Sequence, residues 1–122
     1  MRKVLILMMV MISCCVSSYS QDNYYMNKAK EYMRDAEYYT KKAEGYDREA
    51  TYYNNKAQGY LREAEYYTRN KNYDKAKTYT KWANDATEKA QQQTKWANEA
   101  RDKAQTRMRW ANEAMEKAKR QY

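Results

Sequence analysis

The chain has 122 residues, 24 basic and 16 acidic side chains for a formal net charge of +8, no His, no Pro, no Phe, two Gly and 15 Tyr. Without His, and with no Gly-rich phosphate loop or metal-ligand cluster in the sequence, the usual means of catalysis are missing; no enzyme, cofactor or metal site is expected. Ala, Lys, Glu, Gln, Tyr and Asn dominate, which favours helix, while large aliphatics are too few for a globular core, so burial must come through long helical faces.

Residues 1–20, MRKVLILMMVMISCCVSSYS, set Arg2 and Lys3 before an apolar run from Val4 to Ile12 and then small and polar residues. This is the pattern of a secretory signal peptide, with Ser18 and Ser20 before a cleavage point and a mature start near Gln21. The run is too short to span a bilayer. Cys14 and Cys15, the two cysteines, fall inside this leader, so a mature chain would hold no thiol and no disulfide. Loss of Arg2 and Lys3 leaves 22 basic against 16 acidic residues, a net charge of +6. The excess belongs to the second half: residues 21–69 hold nine of each sign, residues 70–122 thirteen basic and seven acidic.

A first helix is expected over residues 21–69. Ala29, Ala36, Ala43, Ala50, Ala57 and Ala64 recur every seven residues, and Tyr25, Tyr32, Tyr39, Tyr46, Tyr53 and Tyr60 each stand four before an Ala, with Tyr67 extending the row. That is a heptad with Ala at a and Tyr at d. Residues 70–73 should form a turn. From Ala64 to Ala76 the step is twelve, which in a continuous helix would swing the Ala stripe by about 120°. Asn70 and Asn72 suit left-handed or capping positions, and Asp74 suits a helix start.

The second helix, residues 74–122, carries Ala76, Ala83, Ala90, Ala97, Ala104, Ala111 and Ala118 at a, with Tyr79, Ala86, Gln93, Ala100, Arg107, Ala114 and Gln121 at d. The string NYDKAKTYTKWANDA resembles half of a tetratricopeptide repeat, which implies a helix-turn-helix; the surrounding period is seven or fourteen. The fold expected is all-α, an antiparallel coiled-coil hairpin of Ala/Tyr heptads, with thin burial favouring self-association into a bundle. A parallel homodimer of long helices with a broken centre is the alternative.

The g positions suggest a register. Pairing Glu63 with Lys75, Lys56 with Trp82, Glu49 with Lys89, Lys42 with Trp96, Asp35 with Lys103 and Lys28 with Trp110 sets every acid against a Lys and every first-helix Lys against a Trp. The same register puts Tyr60, Tyr53, Tyr46, Tyr39, Tyr32 and Tyr25 opposite Ala76, Ala83, Ala90, Ala97, Ala104 and Ala111, and Tyr79 opposite Ala57.

Tyr24, Tyr38, Tyr52 and Tyr66 fall at c, on the outer face, fourteen residues or about 21 Å apart along a helix. The core does not need them. Regular outward phenols suit lateral contacts between hairpins or oxidative cross-linking of a secreted material; rings that merely cover neighbouring side chains are the bland alternative. The function expected is that of a secreted, extracellular, non-enzymatic structural component of a matrix or material. Its expected partners are further copies or other matrix proteins.

A second reading is a secreted basic binding or antimicrobial module for anionic surfaces such as acidic polysaccharide or mineral. Secretion argues against nucleic acid, and no membrane span is expected after signal removal. A third reading rests on composition: the Ala heptads are similar to those of helical lipoproteins of the bacterial envelope. That resemblance implies lipid on Cys14, although MMVMISC is a poor lipobox and Tyr122 stands where a terminal Lys would be expected.

Overall fold

The computed structural model describes residues 24–120, which form two helices, α1 (Tyr24–Arg69) and α2 (Tyr73–Arg120), packed against each other as an all-α hairpin. The expected signal peptide, with Cys14 and Cys15, lies outside the described residues, as do Gln121 and Tyr122. Both helices persist for more than forty residues because their interiors contain no Pro and good helix formers predominate. Asp74 in the first turn of α2 and Lys117, Lys119 and Arg120 in its last turn oppose the partial charges of the helix ends.

The turn is shorter than expected, spanning residues 70–72, and Tyr73 already belongs to α2. The Lys71 N–H donates to the Thr68 carbonyl at 3.1 Å and the Asn72 N–H to the Tyr67 carbonyl at 2.9 Å. These bonds close a Schellman motif, which requires a left-handed residue at its centre. That residue is Lys71, at φ 60°, and neither flanking Asn takes the role. Asn72 caps α2 instead: its Oδ1 accepts from the Lys75 N–H at 3.3 Å and its carbonyl from the Ala76 N–H at 3.1 Å. Asn70 donates its side-chain amide to the Tyr66 carbonyl at 3.1 Å, satisfying one of the last acceptors of α1.

The hairpin comprises two compact units. Among the described residues, one joins those up to Thr40 with those from Arg101 onward; the other runs from Lys41 to Ala100. In the first, Met26, Ala29, Met33, Ala111, Ala114, Met115 and Ala118 form the core, with Tyr25 and Tyr32 packed against it. In the second, the buried residues are the a-position alanines of both helices together with Ala86 and Ala100. The a positions are buried as the heptads predict, while the d-position Tyr are only partly covered.

In the first unit, e positions close one side of the seam, a feature the heptad reading overlooked, whereas in the second they are exposed or half-buried. Met26, Met33, Met108 and Met115 are buried there in the first unit. In the second, Thr80, Thr87 and Thr94 donate their hydroxyls to the carbonyls of Ala76, Ala83 and Ala90 at 2.8, 2.9 and 3.0 Å. Back-bonding to the preceding turn lets a β-branched polar residue stand beside the Ala stripe without an unsatisfied hydroxyl.

Candidate functional site

The outward face and the d/g flank beside it carry nearly all of the aromatic chemistry. Tyr24, Tyr38, Tyr52 and Tyr66 point away from the seam and remain 64, 53, 51 and 55% exposed. Each leans edge-on against the Tyr that follows it, with ring centroids 5.3 Å apart for Tyr24 and Tyr25, 5.2 Å for Tyr38 and Tyr39, 5.3 Å for Tyr52 and Tyr53, and 5.2 Å for Tyr66 and Tyr67. Neighbours in sequence diverge by about 100° on a helix, so when the second ring turns toward the seam the first is carried outward. A T-shaped contact sets a ring edge against a ring face, the favoured arrangement of two quadrupoles.

Two first-helix lysines of the expected register sit over outward rings. The Lys28 ammonium lies 5.8 Å from the Tyr24 centroid and that of Lys56 lies 5.0 Å from Tyr52, both one turn along α1. Lys28 also forms an ion pair with Glu31 at 3.5 Å. Its pKa is held above the usual lysine value by the Glu31 carboxylate first and by Tyr24 second. Lys56 is raised chiefly by its hydrogen bond to the Tyr52 hydroxyl.

Across the seam, the g residues of α2 meet the d-position Tyr of α1 in strict alternation of cation and indole. In the first unit, Lys117 lies 5.7 Å over Tyr25, Trp110 packs edge-on at 5.5 Å from Tyr32, and Lys103 lies 5.6 Å over Tyr39. In the second, Trp96 packs on Tyr46 at 5.7 Å, Lys89 covers Tyr53 at 5.6 Å, Trp82 packs on Tyr60 at 5.8 Å, and Lys75 covers Tyr67 at 5.2 Å. Within each unit the residue numbers of the two partners add to a constant, as antiparallel helices require.

These ring contacts were not among the pairs the g positions suggested. Lys75, Trp82, Lys89, Trp96, Lys103 and Trp110 were expected against Glu63, Lys56, Glu49, Lys42, Asp35 and Lys28; each reaches the d-position Tyr four residues, or one turn, further along α1. The reason is the ring itself. A Tyr at d lies nearer the seam than a g side chain and offers an apolar body to an indole and a π face to an ammonium. Lys28 and Trp110 do share a hollow of about 350 Å³ with Tyr32, and Lys56 and Trp82 share one of about 290 Å³ with Tyr60. Lys42, Glu49 and Glu63 are exposed.

Asp35 finds a different cation from the one expected. Arg107 approaches it at 3.6 Å, while its guanidinium lies 4.5 Å from the Trp110 ring and 5.8 Å from that of Tyr39. An Arg at a seam d position is a visible departure from the Ala, Gln and Tyr that otherwise fill that row, and this is the sequence signal for its bridging role. Planar guanidinium stacks on rings while its edge keeps donors for a carboxylate.

A second feature escaped the sequence reading. Tyr79 was expected simply opposite Ala57, but it stacks on Tyr67 at 5.5 Å with planes 15° apart, and lies 6.2 Å from Tyr60 and 5.1 Å from Trp82. The only second-helix Tyr on the d row thereby ties several rings into one group near the turn. Among the described residues no helix is long and apolar enough to cross a membrane. Compared with known proteins, the chain matches no family model, no curated protein and no solved structure.

Proposed function

We propose that the chain is a secreted, non-enzymatic structural component of an extracellular material, a helical hairpin that associates laterally with further copies through its outward Tyr. The observation that carries this reading is the row Tyr24, Tyr38, Tyr52 and Tyr66: large rings, all at least half exposed, on a face from which the core takes nothing. Exposed aromatics recurring at a fixed interval are costly to leave in water and suit repeated contact with an equally regular surface. Phenols so placed also suit oxidative coupling, which would make such contacts permanent.

The alternative, a binding module for anionic surfaces, draws on the basic balance of α2. Against it, Lys75, Lys89, Lys103 and Lys117 rest on Tyr rings of α1, so an anion would compete with those rings for them. Sedimentation of residues 21–122 over a concentration series tests the proposal. Mass should rise with concentration, and changing all four outward Tyr to Gln should leave a helical monomer. A species that stays monomeric yet binds heparin with steep salt dependence would replace the structural reading with the binding one.

A further inference from the structure

Near the turn, five aromatic rings form a continuous series within one unit. Tyr66 leans on Tyr67 at 5.2 Å, Tyr67 stacks on Tyr79 at 5.5 Å, Tyr79 touches Trp82 at 5.1 Å, and Tyr60 joins both Trp82 at 5.8 Å and Tyr79 at 6.2 Å. The series has an exposed indole at one end, Trp82, and an exposed phenol at the other, Tyr66. We propose that this series conducts oxidising equivalents from Trp82 to Tyr66 and makes Tyr66 the preferred site of oxidative phenol coupling. The inference deepens the structural reading above and rests on it for the biological use of the coupling.

The chemistry sets the direction. Hydrogen peroxide acting through a peroxidase is the oxidant, and it removes one electron from an accessible ring such as the Trp82 indole. The indole N–H proton passes to water as the electron leaves. The resulting indolyl radical is at neutral pH a stronger oxidant than a phenoxyl radical, so Trp82 takes an electron from Tyr79 or Tyr60 and a proton from water while the phenol releases its own proton, and the vacancy moves into the phenols. Rings in van der Waals contact exchange electrons rapidly. The face-to-face stack of Tyr79 on Tyr67 provides the crossing from α2 to α1.

The vacancy should not rest on Tyr67. Its ring lies under the Lys75 ammonium at 5.2 Å, and a neighbouring positive charge disfavours electron loss. Tyr66 is exposed to water, which takes its phenolic proton as the electron leaves. Two Tyr66 radicals on separate chains then form a carbon–carbon bond between their ortho positions, and the hydrogens on those carbons return to the oxygens. Overall, two phenols and one hydrogen peroxide give one biphenol and two waters.

The other outward Tyr lack this arrangement in the contacts seen. The inner rings beside Tyr24, Tyr38 and Tyr52 lie under cations as Tyr67 does, namely Lys117 on Tyr25, Lys103 and Arg107 on Tyr39, and Lys89 on Tyr53; what sets Tyr66 apart is the stack of its inner ring, Tyr67, on Tyr79 of α2. Exposure alone would therefore rank the sites differently, because Tyr24 at 64% and Tyr73 at 63% are more open than Tyr66 at 55%. The two explanations predict opposite orders.

The test treats the purified full chain, thiols blocked, with peroxidase and limiting hydrogen peroxide, and maps 3,3′-bityrosine by peptide mass spectrometry. A parallel reaction with a nitroso spin trap maps the radicals themselves and needs no assembly. Tyr66 should exceed Tyr24 and Tyr73 several-fold in both. Tyr79→Leu should lower the Tyr66 yield several-fold and leave kynurenine products on Trp82, and Trp82→Leu should lower Tyr66 again, with circular dichroism checking that each variant stays helical. Trapped radicals ranked by exposure and indifferent to both substitutions would overturn the conduit. Radicals at Tyr66 without bityrosine or assembly would uphold the conduit and overturn the structural reading instead.

Discussion

At Lys71 a side chain occupies the left-handed region, where a Cβ crowds the following carbonyl and costs roughly 1–2 kcal/mol that Gly avoids. Lys71→Gly should stabilise the hairpin by about 1 kcal/mol, seen as a higher urea midpoint at unchanged slope. Asn72→Ala should act oppositely, losing about 1 kcal/mol with its cap on the Lys75 N–H. The lysines over outward rings give a pH signature. Lys28 and Lys56 titrate above the ordinary lysine value in the folded chain, so their contribution is complete below that value and is lost as pH rises through the raised one. Both are solvent-facing, and the effect should therefore be visible by NMR titration before it is visible in stability; Tyr52→Phe should return Lys56 toward the usual lysine value.

At the scale of the helix, the heptads tell a great deal about burial. Every a position is Ala, and Ala97 and Ala111 are wholly buried, so the seam accepts no larger side chain without displacement. Ala97→Leu should cost about 1–3 kcal/mol through overpacking, measured by thermal or urea unfolding. The two helical Gly are a contrasting case. A Cβ at Gly59 would meet nothing within 4 Å, and at Gly45 only the end of the Arg48 guanidinium at 3.9 Å. Gly59→Ala should raise stability by about 0.8–1 kcal/mol, and a loss would mean that the glycine serves a contact outside the chain. The flank was less legible than the seam: an ammonium over a Tyr and an ammonium over a Trp are equally plausible from spacing, and only the d side chain's closeness to the seam favours Tyr.

For the molecule as a whole, the register makes a direct prediction. A short bis-maleimide should bridge Tyr32→Cys and Trp110→Cys within one chain, because those rings meet across the hairpin at 5.5 Å. Bridges formed only between chains would contradict the antiparallel hairpin. Since the described core contains no large side chain buried to completion, stability should also rise with protein concentration if copies cover the outer face. The sequence by itself determined that there would be two helices, where the Ala stripe breaks, and that the a-position Ala are buried, because period and phase are properties of a single helix. Which residue would turn left-handed, which turn of α1 each Trp and Lys would face, and how Tyr79 would join rings from both helices were decided only by tertiary structure. Those outcomes depend on the axial offset between two helices, and several offsets satisfy the same heptad pattern until ring shape and the turn select one.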